Sequence, residues 1–378
     1  MRAESPMKVL LVGNYEFDGS TSMKVWANAL LRELLQRGID VQLISPTPVF
    51  GRMRRSAGGI GKWLGYIDRF VIFPGKLRAA TARADVVHVC DHGSAMYAFA
   101  AKDKPTVVTC HDMLAIRGAL GEETDCPASF LGRLLQRWIV SGLRRATRVA
   151  CVSQYTFNDA RRILRKTENL RVVLNGLNYP FRRLDGDEVD RRLAGISGIQ
   201  EPFVLHVGSN LVRKNREGVL RILAKAAEGT DLRMVFAGEA LSQELIELAR
   251  KLQVDDRVIQ VTQPDVEILE ALYNRALALL FPSRYEGFGW PPIEAQACGC
   301  PVVGSNIAPH VEVLGQSAAL RPVDDEAGMA EDIRKIAADK QYCERMQQSG
   351  IENVRSRFQA SRMMSEYISL YRELACEK

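Results

Sequence analysis

Residues 286–294 read Glu-Gly-Phe-Gly-Trp-Pro-Pro-Ile-Glu, with two carboxylates at the ends of a glycine-punctuated loop. A short apolar run, Leu279 to Phe281, precedes it, as a buried strand would. Pro291 and Pro292 suit the first turn of a helix, with Glu294 just inside it. The free N–H groups of a helix start favour an anion. A carboxylate there serves phosphate poorly. It can instead accept paired hydrogen bonds from vicinal sugar hydroxyls, as acidic residues do for ribose in dinucleotide sites. Gly287 and Gly289, on either side of Phe288, let backbone come close to a ligand. The loop reads as a holder for a sugar attached to a phosphate.

Outward from this loop the chain alternates apolar strands with helical spacing. Lys8–Val12 runs into Gly13, a helix follows from about Ser22 to Arg37, and Val41–Ser45 is the next strand. Further strands are expected at Asp85–Cys90, Thr106–His111, Arg148–Val152 and Leu170–Leu174, with helices near 94–102, 129–146 and 154–165. The pattern then restarts. His-Val-Gly-Ser-Asn (206–210) echoes Leu-Val-Gly-Asn (11–14), with strands to follow at 233–237, 258–261, 278–282, 301–304 and 318–321. Strands alternating with helices imply parallel sheets covered on both faces. The fold class is therefore α/β, with two doubly wound units, and ligands are expected at the strand C-terminal edges. The polar stretch Tyr179 to Gln200 reads as a hinge.

Residues 279–321 resemble the nucleotide-binding segment of the retaining glycosyltransferases of the GT-B fold, a large family that includes bacterial mannosyl- and glucosyltransferases. Glu286, Glu294 and the run Cys298-Gly299-Cys300-Pro301-Val302 match its Glu-x7-Glu hallmark and the strand after it. The resemblance implies two Rossmann-like domains facing a cleft. Residues 1–195 would form the acceptor-side domain and 196–357 the nucleotide-sugar domain. A final helix within 358–378 would cross back to the first. It also implies that Glu286 contacts the donor sugar's hydroxyls and Glu294 the ribose.

Arg213-Lys214-Asn215 lies between the first strand and first helix of the second unit. Two adjacent cations there suit a diphosphate leaving group, Arg as a fork and Lys as a point charge. Gly208 to Asn215 matches the family's Gly-x-x-x-x-Arg-Lys-Asn pattern. Ser209 stands where many members carry an additional Arg, so the diphosphate charge would rest more on Arg213 and Lys214. His111 ends a strand, where it can donate a hydrogen bond to a sugar hydroxyl or stabilise developing charge. It matches the family's active-site His. Asp112 can cap the next segment. Gly13 to Gly19 fills the place of the family's glycine-rich loop but is not a Gly-x-Gly-x-x-Gly dinucleotide fingerprint.

Net charge is +6, unevenly placed: residues 1–200 hold 30 Lys/Arg against 19 Asp/Glu. Within 51–84 there are eight basic residues and one acid, Asp68. Ile60, Trp63, Leu64, Ile67, Phe70 and Val71 fall at helical spacing there. A basic amphipathic helix with Trp at its edge can lie in a membrane interface or pack on the first sheet with a solvated basic face. Arg52, Arg54, Arg55, Lys62, Trp63 and Arg69 are the expected membrane or acceptor surface. No nucleic-acid motif accompanies the charge. No apolar run approaches the roughly 18 residues of a membrane span, and the N-terminus carries no signal-peptide pattern. The eight cysteines lack metal-ligand spacing, so reduced thiols and a cytoplasmic location are expected, with no metal and no cofactor.

These features point to a retaining hexosyltransferase that uses a UDP-, GDP- or ADP-linked sugar. It is expected to act in cell-surface polysaccharide or glycolipid assembly, on a lipid-linked acceptor, at the inner face of the cytoplasmic membrane. The competing readings are a soluble-acceptor enzyme of the sucrose- or trehalose-phosphate type, a non-catalytic nucleotide-sugar binder, and a nicotinamide dehydrogenase.

Overall fold

The computed structural model describes residues 7–18, 21–53, 59–101, 103–199 and 203–376. The chain divides into two compact units, Met1–Asn178 with Ala360–Lys378, and Tyr179–Gln359. Each is built on one six-stranded sheet whose neighbouring strands are all parallel.

In the first unit the strands are β1 (Lys8–Val12), β2 (Asp40–Ile44), β3 (Val86–Val89), β4 (Thr106–Cys110), β5 (Arg148–Cys151) and β6 (Leu170–Val172), in the order β2-β1-β3-β4-β5-β6. Every residue of β3 and β4 is buried, as expected for parallel strands covered on both faces. The order reverses direction at β1, so β1 and β3 flank a switch point, where open α/β sheets bind ligands.

The helix Ala360–Cys376 completes this unit. It buries Met363, Met364, Tyr367, Ile368 and Tyr371. Its two tyrosines reach polar groups inside the sheet. Tyr371 Oη lies 2.6 Å from His88 Nδ1, His88 Nε2 lies 2.7 Å from Thr109 Oγ1, and Thr109 Oγ1 lies 3.0 Å from Tyr367 Oη. Burial drives the His88 pKa down to about 3, so this chain of bonds joins neutral groups.

The second unit has β7 (Phe203–Gly208), β8 (Arg233–Gly238), β9 (Val258–Thr262), β10 (Ala278–Phe281), β11 (Val302–Ser305) and β12 (Ala319–Arg321), in the order β12-β11-β10-β7-β8-β9. Here β7 and β10 flank the switch point. Residues 179–195, read from sequence with the first unit, belong to the second. The expected hinge is fastened down: Arg182 N–H donates to Glu270 Oε1 at 2.9 Å, Leu184 N–H to Asn274 Oδ1 at 2.8 Å, and Arg192 to Glu270 Oε2 at 2.8 Å.

The 51–84 segment forms a helical run in three pieces: Gly59–Ile67, a π turn over Asp68–Ile72, and Phe73–Thr81. Asp68, its one acid, is buried. It accepts from Tyr15 Oη at 2.9 Å and from the N–H groups of Val49, Phe50 and Gly51 at 3.0, 3.0 and 2.9 Å. That carboxylate anchors the 49–51 loop against the helix. The π turn that begins at Asp68 is a single-turn irregularity between two α-helical pieces.

Candidate functional site

In the second unit, the loops that leave β7 and β10 are tied together. The turn Val212–Lys214 follows β7 and ends at Asn215 in a left-handed conformation (φ 55°). Asn215 Nδ2 donates to the Pro282 carbonyl at 3.1 Å, and Arg284 N–H donates to the Arg213 carbonyl at 2.8 Å. These bonds carry Arg213 and Lys214 to the 286–294 loop. Lys214 Nζ donates to Glu286 Oε1 at 2.6 Å and sits 4.8 Å from the centroid of the Phe281 ring. Arg213 Nη1 donates to Glu286 Oε2 at 3.1 Å. Arg213, Lys214 and Glu286 thus form one cluster, with the carboxylate buried and the two cations partly so.

Burial pushes the Glu286 carboxyl up, but Lys214 and Arg213 outweigh it and hold the pKa below the usual carboxylate range. Burial pulls Lys214 down against the pull of Glu286. With the carboxylate held charged at 2.6 Å, the ion pair is the resting state.

Glu294 behaves differently. The helix Trp290–Ala297 is capped at Gly289, whose φ of 98° only glycine adopts without strain. Glu294 is the fifth residue of that helix, because the helix begins at Trp290, and so lies beyond the first turn's free N–H groups. Its Oε2 accepts from Tyr273 Oη at 2.9 Å. Burial raises its pKa to about 7, with Tyr273 and Lys214 opposing. Phe288 packs its ring against Trp290 and Phe358, at centroid distances of 6.1 and 5.7 Å, so it anchors the loop while its backbone and half-buried Gly287 remain nearer the surface. Gly208 and Ser209 close β7 directly before the cationic turn.

Three buried side chains here escaped the sequence reading. Arg216 donates to Asn210 Oδ1 at 2.6 Å, to the Glu239 carbonyl at 2.8 Å and to the Gly208 carbonyl at 2.6 Å, which pins the loop. Burial lowers its pKa to about 10. His206 and His310 lie on either side of the chain leading to this loop. Their rings are 6.3 and 5.4 Å from Phe281, and burial depresses their pKa values to about 3 and about 4. Arg216 directly follows Arg213-Lys214-Asn215, and nothing local marks it as inward-facing. The two histidines stand alone, with no spacing signal to mark them.

In the first unit the switch point carries its own polar group. Asn14 Nδ2 donates to Asp91 Oδ2 at 2.5 Å, joining the ends of β1 and β3. Gly13 comes so close to β2 that an added Cβ would meet Ser45 Oγ at 2.6 Å. Gly19 lies outside the described residues. His111 is buried against the Trp26 ring at 5.1 Å and bonds through Nε2 to the Cys90 carbonyl at 3.0 Å. Burial lowers its pKa, with Asp91 opposing. A carbonyl only accepts, so Nε2 carries the proton of the neutral ring. Donation by His111 to a sugar hydroxyl, expected from sequence, is therefore pre-empted, and Nδ1 is the accepting nitrogen.

The expected basic surface is only partly formed. Arg52 is exposed and Trp63 is 56% exposed. Arg54 and Arg55 lie outside the described residues, as does the side chain of Lys62. Arg69, within the π turn, donates to Asp18 at 3.0 Å and is only partly exposed. Trp63, Ile67 and Val71 are exposed at four-residue intervals. A second helix, Phe130–Arg145, exposes Phe130, Leu131, Leu134 and Trp138. The two surfaces meet where Phe70 and Trp138 pack at 5.2 Å. Sequence reading missed the second helix as part of this face. Among the described residues no helix is long and apolar enough to cross a membrane, and no group of three His, Cys, Asp or Glu side chains is placed to hold a metal.

Comparison with known proteins agrees with this architecture. Residues 193–353 match the family described as glycosyl transferases group 1, and residues 23–179 match glycosyltransferase family 4. The N-acetyl-alpha-D-glucosaminyl L-malate synthase of Bacillus anthracis is 25% identical over 63% of this chain and 62% of its own length. The O-antigen chain mannosyltransferase RfbU of Salmonella typhimurium is 28% identical over 56% of this chain and 57% of its own. The chain thus spans about three fifths of these curated relatives. A sucrose-phosphate synthase from Thermosynechococcus elongatus superimposes with a TM-score of 0.81 at 20% identity, covering 98% of this chain and 100% of that one. Anabaena Alr3699/HepE, solved with UDP and glucose, gives 0.76 at 17% identity, covering 97% and 100%. At such identities these structures speak for the fold alone. Two doubly wound units, matched over most of the chain by both family patterns, place this protein among the group 1 glycosyltransferases of the GT-B fold.

Proposed function

We propose that the chain transfers a hexosyl group from a nucleotide-diphosphate sugar to an acceptor hydroxyl with retention of configuration. The observation that carries this reading is the convergence of Arg213 and Lys214 on Glu286 at the β7/β10 switch point, with Glu294 one helix start away. In the donor complex the two cations move from Glu286 onto the diphosphate and stabilise it as it leaves. Glu286 turns to the sugar hydroxyls, and ionised Glu294 accepts from the ribose. The two cations supply the positive charge that balances the leaving diphosphate, so transfer is proposed to need neither metal nor cofactor and to continue in EDTA. The acceptor hydroxyl attacks from the face on which the diphosphate leaves. Retention rests on the Glu-x7-Glu resemblance, and proton NMR of the product anomer tests it.

A relative named for mannosyl transfer and a neighbour solved with UDP-glucose support a nucleotide-sugar donor. A thermal-shift screen of UDP-, GDP- and ADP-sugars tests this, since a ligand that binds only the folded state raises its melting point. A screen with no shift for any of them sinks the reading. Loss of transfer in Glu286→Ala, with folding intact, separates an enzyme from a passive binder.

For the acceptor we propose a lipid-linked sugar at the cytoplasmic face of a membrane. The exposed apolar side chains of Trp63, Ile67, Val71, Leu131, Leu134 and Trp138, with exposed Arg52, Arg133 and Arg137 beside them in the chain, fit an anionic interface. The eight free cysteines fit a reducing compartment. A soluble acceptor is the second reading. The D-inositol 3-phosphate glycosyltransferase of Corynebacterium diphtheriae, 24% identical over 88% of this chain and 85% of its own length, favours it. Transfer assayed with and without lipid vesicles distinguishes the two.

A further inference from the structure

His310 is the third residue of the helix Ala308–Leu314, just after β11, and is 1% exposed. Its Nδ1 lies 3.0 Å from the Ser305 carbonyl oxygen and 3.2 Å from Ser305 Oγ. That hydroxyl already donates to the Ser283 carbonyl at 2.5 Å. A carbonyl oxygen accepts only, so Nδ1 carries the proton and Nε2 presents a bare lone pair. Burial, aided by Lys214, keeps the ring neutral through the physiological range. Nε2 has no hydrogen-bond partner among the described residues. An unpaired buried acceptor is destabilising, and such groups in native proteins call for an explanation.

The surroundings supply one. A Cβ built on Gly289 would lie 3.6 Å from His310 Nε2, so the nitrogen lies against the loop between Glu286 and Glu294 at a position without a side chain. The ring is 5.4 Å from Phe281, the same ring that carries Lys214. The field of Glu286 reaches it. An acceptor-only nitrogen repels phosphate oxygens and takes an O–H or N–H group.

We infer that His310 is a specificity-determining residue: its Nε2 accepts a hydrogen bond from one hydroxyl of the donor's sugar ring, beside the hydroxyls held by Glu286. This rests on the donor reading above and goes beyond it, since neither the cationic turn nor the two glutamates explains the orphaned nitrogen. It makes recognition stereochemical. A sugar whose hydroxyl at that carbon is absent or inverted leaves Nε2 buried and unpaired, the condition under which polar sites discriminate most strongly.

The test compares wild type, His310→Leu and His310→Gln by calorimetry. The ligands are matched pairs: UDP and UDP-glucose, GDP and GDP-mannose, ADP and ADP-glucose. His310→Leu should bind the nucleoside diphosphate within about twofold of wild type and its sugar ester about tenfold more weakly. His310→Gln, which restores an acceptor near the Nε2 position, should recover most of that loss. Wild-type protein labelled with 15N-histidine, with only five histidines to assign, should show the Nε2 resonance move on adding the sugar ester and stay in place with the diphosphate alone. Equal loss for both members of a pair, or no loss for the sugar ester, overturns the inference. If wild type binds no pair at all, the donor reading itself falls, and the two failures are told apart.

Discussion

Lys214 and Glu286, 72 positions apart in the chain, meet at 2.6 Å above the Phe281 ring. Each neutralises the other in this structure. On the donor reading proposed above, a diphosphate would exchange with a carboxylate for the same cations, a swap of anions in which neither cation is left bare.

Lys214→Ala therefore has two effects. It should weaken donor binding at least tenfold. It should also lower stability by about 1–3 kcal/mol, because Glu286 stays buried with Arg213 as its one remaining cation. Lys214→Met combined with Glu286→Gln should regain the stability and leave binding impaired. Melting curves and calorimetry on the same samples read both, and unchanged donor affinity in the single variant removes Lys214 from the site.

Glu294 makes stability and binding depend on pH in opposite senses. Burial raises its carboxyl from the ordinary 4.5 to about 7. A raised carboxyl favours the folded state fully below about 4.5, where it is protonated folded or unfolded, and that advantage is lost as pH rises through about 7. Glu294→Gln should therefore be more stable than wild type near pH 8, by up to about 3 kcal/mol. Donor affinity of wild type should rise across the same interval, as the ionised carboxylate becomes free to accept from the ribose. The Gln variant should lack that rise. A wild-type affinity flat between about pH 5.5 and 8 contradicts the assignment.

Arg216 binds three acceptors from inside the loop and has no assigned contact with ligand. Arg216→Met should leave the Gly208 and Glu239 carbonyls short of a donor and cost about 2–4 kcal/mol. Donor affinity should fall with it as the cationic turn loosens. Arg216→Met with a wild-type melting point would show that the loop is held by other means.

Trp138→Glu should abolish co-sedimentation with vesicles containing anionic lipid, since it places a charge at the junction of the two exposed helices. Melting temperature should stay near wild type, because Trp138 is 40% exposed. Vesicle binding that survives both this change and Trp63→Glu would argue for a soluble acceptor.

Much of the fold is legible in local sequence because parallel strands bury both faces. Runs such as Val86–Val89 and Ala278–Phe281 need no partner to be recognised. The glutamates and cations of the site are legible for a related reason: they fall in the two segments that follow β7 and β10, each marked by glycine at Gly208, Gly287 and Gly289. What stays hidden depends on contacts from elsewhere in the chain. Tyr273 is an ordinary helix residue until Glu294, 21 positions on, meets it. The bond from Arg69 to Asp18, 51 positions earlier, and the π turn that holds Arg69 leave no sign in the even helical spacing of 60–71. His111 changes from donor to acceptor because of one carbonyl, that of Cys90, 21 positions earlier.

The helix Ala360–Cys376 has a consequence for the order of events on the ribosome. His88 and Thr109 lie near the start of the chain, yet the hydroxyls that satisfy them belong to Tyr367 and Tyr371. At about 5–20 residues per second, the first 178 residues wait about 10–40 s for those two side chains to be synthesised. During that interval the second unit emerges with all of its own strands in hand. The later-made unit can reach its native state first, and the nascent first unit presents an apolar groove in the meantime, the kind of surface a chaperone would shelter.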